Sequence, residues 1–399
     1  MKILKMKDID LKNKKVLIRL DLNVPIKNKK ITSSARIKAS LPTIKLALKK
    51  KAKIIIISHL GRPKEGRYCS NHSLLPIVKY MSKKLPKIKI HFLKKIKSIK
   101  KIKKKSLLIL ENVRFNIGEK KNDILLAKKY ANLCDVFVMD AFGTAHRKEA
   151  STYGVMKFAK ISCAGPLLVS EIKALKKAIK NPKRPLVTIL GGSKISTKFK
   201  LLKKLSKVSD TIITGGGIAN TFLAIKNNIG KSIFEKEYIK LAKKLLHKYN
   251  IIIPTDSKLK ILKNKKKYSV KTKKIYNIKK NEEIMDIGKK SIKKYKKIIK
   301  KAKTIIWNGP VGVFENKKFR KGTKKIAHFI AKNSGFSLAG GGDTLAVIEM
   351  FNIKKNISYI STGGGAFLKF IESGTLPIIK MLKQVYNKKL LREKYEKKK

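Results

Sequence analysis

Four glycine-rich turns beyond residue 190 each follow an apolar run and precede helix-forming sequence. They are residues 191–192, 215–217, 340–342 and 363–365. Such turns expose unpaired backbone N–H groups at the start of a helix, where the helix dipole favours negative charge. A single glycine run can equally be an ordinary turn, since glycine tolerates positive φ. Their repetition favours a site for the phosphate groups of a ligand.

Charged and hydroxyl side chains accompany two of these turns. Lys194 and Lys198 follow the first turn four residues apart, and therefore lie on one face if the helix has begun. Asp343 and Thr344 directly follow residues 340–342. A carboxylate at a phosphate-binding helix start can hold Mg²⁺, while the hydroxyl and the bare backbone approach a polyphosphate. The simpler alternative, Asp343 as a helix N-cap, does not exclude the metal role.

A different set of polar side chains follows the apolar runs of the first half: Asp21, Asn23, His59, Arg62, Arg114, His146 and Arg147. Arg36 follows the helix-starting stretch TSSA. Guanidinium binds carboxylate or phosphate through a bidentate fork that lysine cannot reproduce. Because only nine of the 100 basic residues are arginine, these positions predict a site for a small, multiply charged anion. The alternative, that arginines such as Arg36 and Arg147 are surface charges, stays open.

The runs that precede these residues are typical of β-strands separated by amphipathic stretches, an order that predicts parallel α/β structure. The predicted strands of the first half are 15–24, 53–60, 106–113 and 135–142. Those of the second half are 185–192, 210–217, 304–310, 336–342 and 359–365. In open α/β sheets, ligands bind outside the carboxyl ends of the strands. We therefore expect two α/β units that hold one ligand each.

A helix is predicted between the two halves, at residues 165–182. Leu168, Ile172, Leu175 and Ile179 form one apolar stripe, and Asn181-Pro182 ends the pattern. The expected fold class is thus α/β, with two Rossmann-like parallel-sheet domains joined by a helical hinge.

The composition is that of a globular chain with an extreme positive charge. The 399 residues are 43% hydrophobic, enough for a sizeable core, and the formal net charge is +76. Such a charge is typical of nucleic-acid or membrane-surface binding. Lysine is spread along the whole chain, however, whereas RNA-binding proteins more often combine arginine and aromatic residues. With no apolar run of about 18 to 20 residues and no signal-peptide core, we expect a cytoplasmic protein without membrane spans.

Several long motifs resemble the phosphoglycerate kinase family, over essentially the whole chain and in order. The motifs are RLDLNVP (19–25), SHLGRP (58–63), LENVRF (110–115), DAFGTAHR (140–147), ILGGSKISTK (189–198), GGGIANTFL (215–223), WNGPVGVFE (307–315), GGGDT (340–344) and STGGGA (361–366). The resemblance implies a hinged enzyme that moves a phosphoryl group between 1,3-bisphosphoglycerate and ADP, giving 3-phosphoglycerate and MgATP.

The resemblance also implies roles for individual residues. The phosphoglycerate pocket would comprise Asp21, Asn23, Arg36, His59, Leu60, Gly61, Arg62, Arg114 and Arg147. The nucleotide site would comprise Lys198, Gly215, Gly216, Asn308, Glu315, Gly341, Gly342, Asp343 and Thr344, with Asp343 also binding Mg²⁺. Arg36, Lys194, Lys198, Gly364 and Gly365 would act on the transferring group.

The implied domain organisation has four parts. Residues 1–165 would bind 3-phosphoglycerate, 166–184 would form the interdomain helix, 185–369 would bind the nucleotide, and 370–399 would return to the first domain. The family resemblance further implies a monomer with no specific nucleic-acid partner. The alternative function is a basic nucleic-acid-binding protein on a kinase-like scaffold.

Overall fold

The chain divides into two compact units. A computed structural model describes residues 3–28, 30–94, 96, 106–262 and 267–396, apart from the side chains of 392–395. One unit comprises Met1–Ile172 with Thr375–Lys399, and the other comprises Lys173–Gly374. The predicted domain boundaries stay predictions, and residues 397–399 of the last predicted segment lie outside the described residues.

A six-stranded parallel sheet forms the centre of the first unit. Its strands, in spatial order, are β5 (Lys89–Leu93), β6 (Ser106–Leu110), β4 (Lys53–Ile57), β1 (Lys15–Arg19), β7 (Val136–Met139) and β8 (Ile161–Ala164). The inner strands are almost entirely buried, as expected for a parallel sheet covered on both faces. A short antiparallel pair, β2 (Ile26–Lys27) and β3 (Lys30–Ile31), follows β1.

Helices of this unit pack around the sheet. They are α1 (Ala35–Lys49), α2 (Leu75–Lys84), α3 (Ile124–Ala131), α4 (Val155–Phe158) and α5 (Pro166–Ile179). The division between the two units falls inside α5, which confirms a helix where residues 165–182 predict one. Ile18, Ile56 and Val138 belong to the core that the sheet shares with its helices.

The second unit contains another six-stranded parallel sheet. Its strands, in spatial order, are β11 (Ile251–Ile252), β10 (Thr211–Thr214), β9 (Leu186–Leu190), β15 (Thr304–Asn308), β16 (Phe336–Ala339) and β17 (Tyr359–Ile360). A smaller antiparallel sheet has the order β13 (Tyr268–Lys274), β12 (Asp256–Leu262) and β14 (Glu282–Ile287). The two parallel sheets confirm the predicted α/β fold class.

Helices connect the strands of the second unit. They are α6 (Phe199–Ser206), α7 (Gly216–Leu223), α8 (Ile239–Lys248), α9 (Lys289–Lys301), α10 (Lys321–Ala331), α11 (Gly342–Met350) and α12 (Gly364–Ser373). Helix α13 (Pro377–Glu396) belongs to the first unit, where the Ile378 N–H donates to the Ala145 carbonyl. No helix in the described part of the chain is both long and apolar enough to cross a bilayer.

The strand predictions are right in place but too long at their carboxyl ends. The predicted strand 210–217 ends at Thr214, for example, and the predicted strand 336–342 ends at Ala339. In both cases the glycines that follow turn into a helix instead of extending the strand. The antiparallel sheet was not predicted, because β13 carries lysine and other polar residues and is largely solvent-accessible.

Candidate functional site

In the first unit, polar residues gather where the central strands end. Asp21 and Asn23 follow β1, and His59 and Gly61 follow β4. Asn23 Oδ1 accepts a hydrogen bond from the Gly61 N–H at 2.9 Å, so the two loops are tied together. This is the edge at which open α/β sheets bind ligands.

Arg36 reaches the same loops from the first turn of α1. Its Nη1 donates to Asp21 Oδ1 at 3.3 Å and to the Asn23 carbonyl at 2.9 Å. The Arg36 side chain remains 30% exposed, whereas that of Asp21 is 5% exposed. The carboxylate therefore orients a guanidinium that still has donors available to solvent or ligand.

Arg114 and Arg147 meet at a shared carboxylate. Arg114 donates from Nη1 to the Gly61 carbonyl at 2.5 Å and from Nη2 to Glu149 Oε1 at 3.2 Å. Arg147 donates to the same Oε1 at 3.4 Å and to His146 Nε2 at 3.2 Å. Arg114 is almost fully buried, and Arg147 is about one-third exposed. Two guanidinium groups are thus held beside the loop of His59 and Gly61.

His59 is a neutral hydrogen-bonding group in this environment. Its Nδ1 lies 3.3 Å from Nη2 of Arg19. A guanidinium can only donate, so Nδ1 must accept and the ring proton lies on Nε2. Burial lowers the pKa of His59 well below its usual value, and the charges of Arg19, Arg114, Arg147 and Arg36 lower it further. The Nε2–H is then the donor that the ring can offer to an anion.

The loop backbone at Gly61 requires glycine. Its φ of +62° is in the left-handed region, and a Cβ there would lie 2.0 Å from the ring of His72. Leu60 beside it is buried, and its carbonyl accepts from Asn112 Nδ2 at 2.7 Å. Arg62, the next predicted residue, is exposed.

Arg19, Asn112 and Glu149 support this site but were not predicted to belong to it. Arg19 is fully buried and donates to Ser151 Oγ at 3.0 Å and to the Leu20 carbonyl at 2.6 Å. A single arginine inside the apolar run KVLIR was the signal that could have revealed it. Glu149 had a weaker signal, since its contact with Arg114 joins residues 35 positions apart in the sequence.

In the second unit, Lys198 lies under the first glycine turn. Its Nζ donates to the Gly191 carbonyl at 2.7 Å. Burial lowers the pKa of Lys198 to about 8, while the charge of Asp343 acts in the opposite direction. Lys194, in the same turn, is exposed. Lys198 is therefore a partly desolvated cation at the carboxyl end of β9.

Asn308 and Thr344 connect the ends of β15 and β16. Asn308 Nδ2 donates to the Gly340 carbonyl at 2.6 Å. Thr344 Oγ1 accepts from the Gly309 N–H at 2.8 Å and donates to the Gly340 carbonyl at 3.0 Å. Both side chains are buried, and Asn308 Oδ1 has no hydrogen-bond partner among the described residues. These bonds fix the turn that presents Gly341, Gly342 and Asp343.

A cavity of about 430 Å³ opens beside these turns, within the second unit. Gly216, Glu315 and Asp343 line it together with apolar side chains such as Val311 and Phe314. Glu315 and Asp343 are both exposed, and Asp343 lies in the first turn of α11. An apolar cavity with a few polar groups at a helix start suits a ligand with a flat ring and a charged end.

Close backbone approach explains why glycines fill the turn beside this cavity. A Cβ on Gly217 would lie 1.9 Å from the Ser193 carbonyl oxygen, so even alanine would force the two loops apart. Gly215 is the residue before α7 and packs against Val311. Gly364 and Gly365 open α12, after the end of β17.

Asp343 suits a metal that is shared with a ligand. Among the described residues, no group of three or more histidine, cysteine or acidic side chains has a geometry that could hold a metal ion. Mg²⁺ is commonly bound by one or two carboxylates plus substrate phosphates rather than by a complete protein cage. A single exposed carboxylate at the cavity rim fits that pattern.

Sequence comparison identifies a family for this arrangement. The family model described as phosphoglycerate kinase matches residues 6–374. A phosphoglycerate kinase of Buchnera aphidicola subsp. Schizaphis graminum is 63% identical over 394 residues, which cover 97% of this chain and all of that relative. A phosphoglycerate kinase of Buchnera aphidicola subsp. Baizongia pistaciae is 57% identical over 388 residues, covering 97% and 98% of the two chains.

Solved structures agree with the sequence comparison. The phosphoglycerate kinase of Coxiella burnetii matches with a TM-score of 0.90 and 45% identity. That of Pyrococcus horikoshii matches with a TM-score of 0.82 and 32% identity. Each alignment covers 97% of this chain and all of the compared chain.

Proposed function

The chain belongs to the phosphoglycerate kinase family, and from that premise we propose how its two units share the reaction. The activity is the reversible transfer of a phosphoryl group between 1,3-bisphosphoglycerate and ADP, which yields 3-phosphoglycerate and ATP in glycolysis. The enzyme is a phosphotransferase that uses a carboxyl group as acceptor. The alternative of a nucleic-acid-binding protein receives no support from the comparisons.

The first unit binds the phosphoglycerate in this proposal. The observation that carries the assignment is the grouping of Arg36, Arg114 and Arg147 around a neutral His59. Guanidinium groups can hold the carboxylate and phosphate of a small substrate in fixed directions, and a neutral imidazole adds a donor without a further charge. Asp21, Asn23, Leu60, Gly61 and Arg62 complete the proposed pocket.

The second unit binds ATP or ADP with Mg²⁺. The cavity would accept the base and ribose, with Gly215, Gly216 and Glu315 beside them. Lys198, Asn308, Gly341, Gly342 and Thr344 belong to or support the phosphate end. Asp343 would hold the metal, which supplies positive charge to the phosphate oxygens when it is bound.

Phosphoryl transfer depends mainly on positioning and on positive charge around the equatorial oxygens of the transferring group. We assign that charge to Arg36, Lys194 and Lys198, and backbone N–H donors to Gly364 and Gly365. Because the acyl phosphate is prone to hydrolysis, exclusion of water from the bound substrates would also be required. A monomeric, cytoplasmic enzyme is part of the same proposal.

An assay of ADP formation from MgATP tests the proposal. The wild-type protein should form ADP only when 3-phosphoglycerate is present. Asp343→Asn should raise the Mg²⁺ and nucleotide concentrations needed for half-maximal rate, because the proposed metal ligand loses its charge.

The control measurement is the affinity of the same variant for 3-phosphoglycerate, determined by calorimetry without nucleotide. This affinity should equal that of the wild type. If the Mg²⁺ and nucleotide dependence of Asp343→Asn also matched the wild type, the metal assignment would be wrong.

A further inference from the structure

Glu149 occupies an unusual position for an acidic residue, between two arginines assigned to the anionic substrate. A single oxygen, Oε1, accepts from Arg114 Nη2 at 3.2 Å and from Arg147 Nη1 at 3.4 Å. The other oxygen, Oε2, is buried and has no hydrogen-bond partner among the described residues. The Glu149 side chain also accepts from the Thr152 N–H at the start of the following helical turn. The carboxylate thus contacts both guanidinium groups through one oxygen and is held in place by the local backbone.

The surroundings make this carboxylate the principal counter-charge of Arg114. The side chains of Arg114 and Glu149 are 3% and 6% exposed, so water screens neither charge well. Burial lowers the pKa of Arg114, and the charge of Glu149 is the largest influence that raises it, while Arg147 and Arg19 lower it. Without Glu149, a buried guanidinium would face two other arginines.

An anionic substrate would bring a second negative charge to the same donors. Arg114 already uses Nη1 for the Gly61 carbonyl and Nη2 for Glu149, and its buried Nε has no partner among the described residues. A carboxylate or phosphate that binds Arg114 and Arg147 must approach the charge of Oε1, because both guanidinium groups contact that oxygen. Binding of the two anions is thus mutually unfavourable.

We propose that Glu149 is a built-in anion that holds Arg114 and Arg147 in place before substrate binds and lowers their affinity for phosphoglycerate. It acts through the two arginines and is a positioning residue, with no catalytic step of its own. This inference rests on the proposed phosphoglycerate site. It predicts two opposite effects of one substitution, a less stable free protein and a tighter complex.

Glu149→Gln tests the inference, because glutamine keeps the shape and one accepting oxygen but removes the charge. We expect the dissociation constant for 3-phosphoglycerate, measured by calorimetry at constant ionic strength, to fall about fivefold, the lower end of typical coupling between sites. Glu149→Gln should also bind inorganic phosphate more tightly than the wild type does. The melting temperature of the free variant should be lower than that of the wild type, and its increase on adding 3-phosphoglycerate should be larger.

Glu111→Gln is the matched control in the same unit. Glu111 is also buried, but it accepts hydrogen bonds from Ser73, Leu74 and Asn112 rather than from arginine. This variant can lose stability as well, yet its affinity for 3-phosphoglycerate should not rise. The comparison separates a general effect of removing a buried charge from an effect on the two arginines.

Arg147→Gln distinguishes failure of this inference from failure of the proposed site. If Arg147→Gln weakens 3-phosphoglycerate binding while Glu149→Gln leaves it unchanged or weakens it, the inference is overturned and the site stands. If neither variant alters the affinity, 3-phosphoglycerate binds elsewhere and both are wrong. The melting experiment starts at a low temperature, at which a destabilised Glu149→Gln is still folded. The rise in its melting temperature on adding 3-phosphoglycerate therefore tests the inference for this variant too.

Discussion

At the scale of single residues, the chain contains an internal comparison between arginine and lysine. Lysine accounts for 91 of the 100 basic residues, and nine positions carry arginine. Arg19, Arg36, Arg114 and Arg147 all act on the pKa of one histidine, His59. Their contacts are directional bonds to carboxylates, carbonyls and ring nitrogens, which a planar fork of donors can satisfy and an ammonium cannot.

Arg36→Lys should therefore lower activity strongly although it conserves charge. The lysine would lose the pair of bonds to Asp21 and Asn23 and would present one point charge to the phosphoryl oxygens. We expect kcat to fall by about 10²- to 10³-fold, as for the loss of a donor aimed at transition-state charge. The KM for MgATP should change less, because Arg36 belongs to the other unit.

Steady-state kinetics of the purified variants measure this effect. Arg67→Lys, at an exposed position of the same unit, is the control and should be nearly silent. A kcat for Arg36→Lys within about threefold of the wild type, roughly 0.6 kcal/mol, would exclude a specific role for the guanidinium.

If Lys198 binds the nucleotide phosphates as proposed, nucleotide affinity should depend on pH. Its pKa of about 8 means that the free protein loses the ammonium charge as pH rises through that value. Nucleotide phosphates favour the charged form, so binding above pH 8 requires proton uptake and should weaken by up to about tenfold per pH unit. Calorimetric titration with ADP between pH 6.5 and 9.5 measures the profile.

Lys198→Arg provides the comparison for this profile, because guanidinium keeps its charge throughout the range. The variant should lose the decline above pH 8, whatever its absolute affinity. A wild-type affinity that stays constant from pH 7 to 9.5 would show that Lys198 does not contact the phosphates as a cation.

At the scale of elements, the fold can be predicted from the sequence more completely than the residues of the two proposed sites can. The inner strands are predictable because both of their faces are buried, which leaves uninterrupted apolar runs such as IIII in β4. Strand β5 escapes prediction because it is a half-buried edge strand flanked by lysines. Strand ends are overestimated because Gly215 and Gly341 continue the apolar pattern while the backbone already turns.

The sites are predictable only in part, because supporting residues are fixed by three-dimensional contacts. Asp21, His59 and Asp343 lie in motifs that immediately follow strands, so the sequence alone is enough to predict them as site residues. Glu149 acquires its meaning from Arg114, which lies 35 residues earlier in the chain. No periodicity or local motif encodes such a pairing.

Asp140 joins the end of β7 to the start of α5 and should make stability depend on pH. One oxygen accepts from the Leu168 N–H at 3.0 Å, and the other accepts from the Thr43 hydroxyl. Burial raises the pKa of Asp140 from 3.8 to about 7. The folded state therefore keeps a proton that the unfolded state releases between these values, and the free energy of unfolding falls as pH rises through that window.

Asp140→Asn should remove this contribution, because an amide does not ionise and the Thr43 hydroxyl can reverse to accept from it. As pH rises from 4 to 8, the free energy of unfolding of the variant should increase by about 2 to 4 kcal/mol relative to that of the wild type. Urea unfolding at several pH values measures the difference. Glu119 and Asp286, whose pKa values burial also raises to about 7, leave some dependence in the variant.

Asp135→Asn is the control for Asp140→Asn. Asp135 is half-buried in the same unit and accepts from the Lys15 N–H at 2.8 Å. This variant should retain the pH dependence of the wild type. An equal dependence in wild type and Asp140→Asn would mean that Asp140 ionises freely in the folded protein.

At the scale of the whole molecule, a formal net charge of +76 accompanies two units with one proposed ligand site each. The 24 acidic residues cannot neutralise the 100 basic ones. Many lysines extend over aromatic rings on the surface, as Lys318 does over Tyr268 at 4.8 Å. A field of this size attracts polyanions and also repels like charges within the folded chain.

This charge should bind nucleic acid without selecting a sequence. Lysines contact phosphates as point charges, and binding by counterion release weakens linearly with the logarithm of salt concentration. We expect RNA affinity to fall on the order of 10³-fold between 50 and 200 mM KCl and to be equal for RNAs of different sequence. Fluorescence anisotropy with several labelled RNAs measures both properties.

The control is the RNA affinity in the presence of the substrates. Saturating concentrations of ADP and 3-phosphoglycerate should leave this affinity unchanged, since the attraction comes from the surface as a whole. Tight, sequence-selective binding at physiological salt, or displacement of RNA by the substrates, would instead indicate a defined nucleic-acid site and a second role for the basic surface.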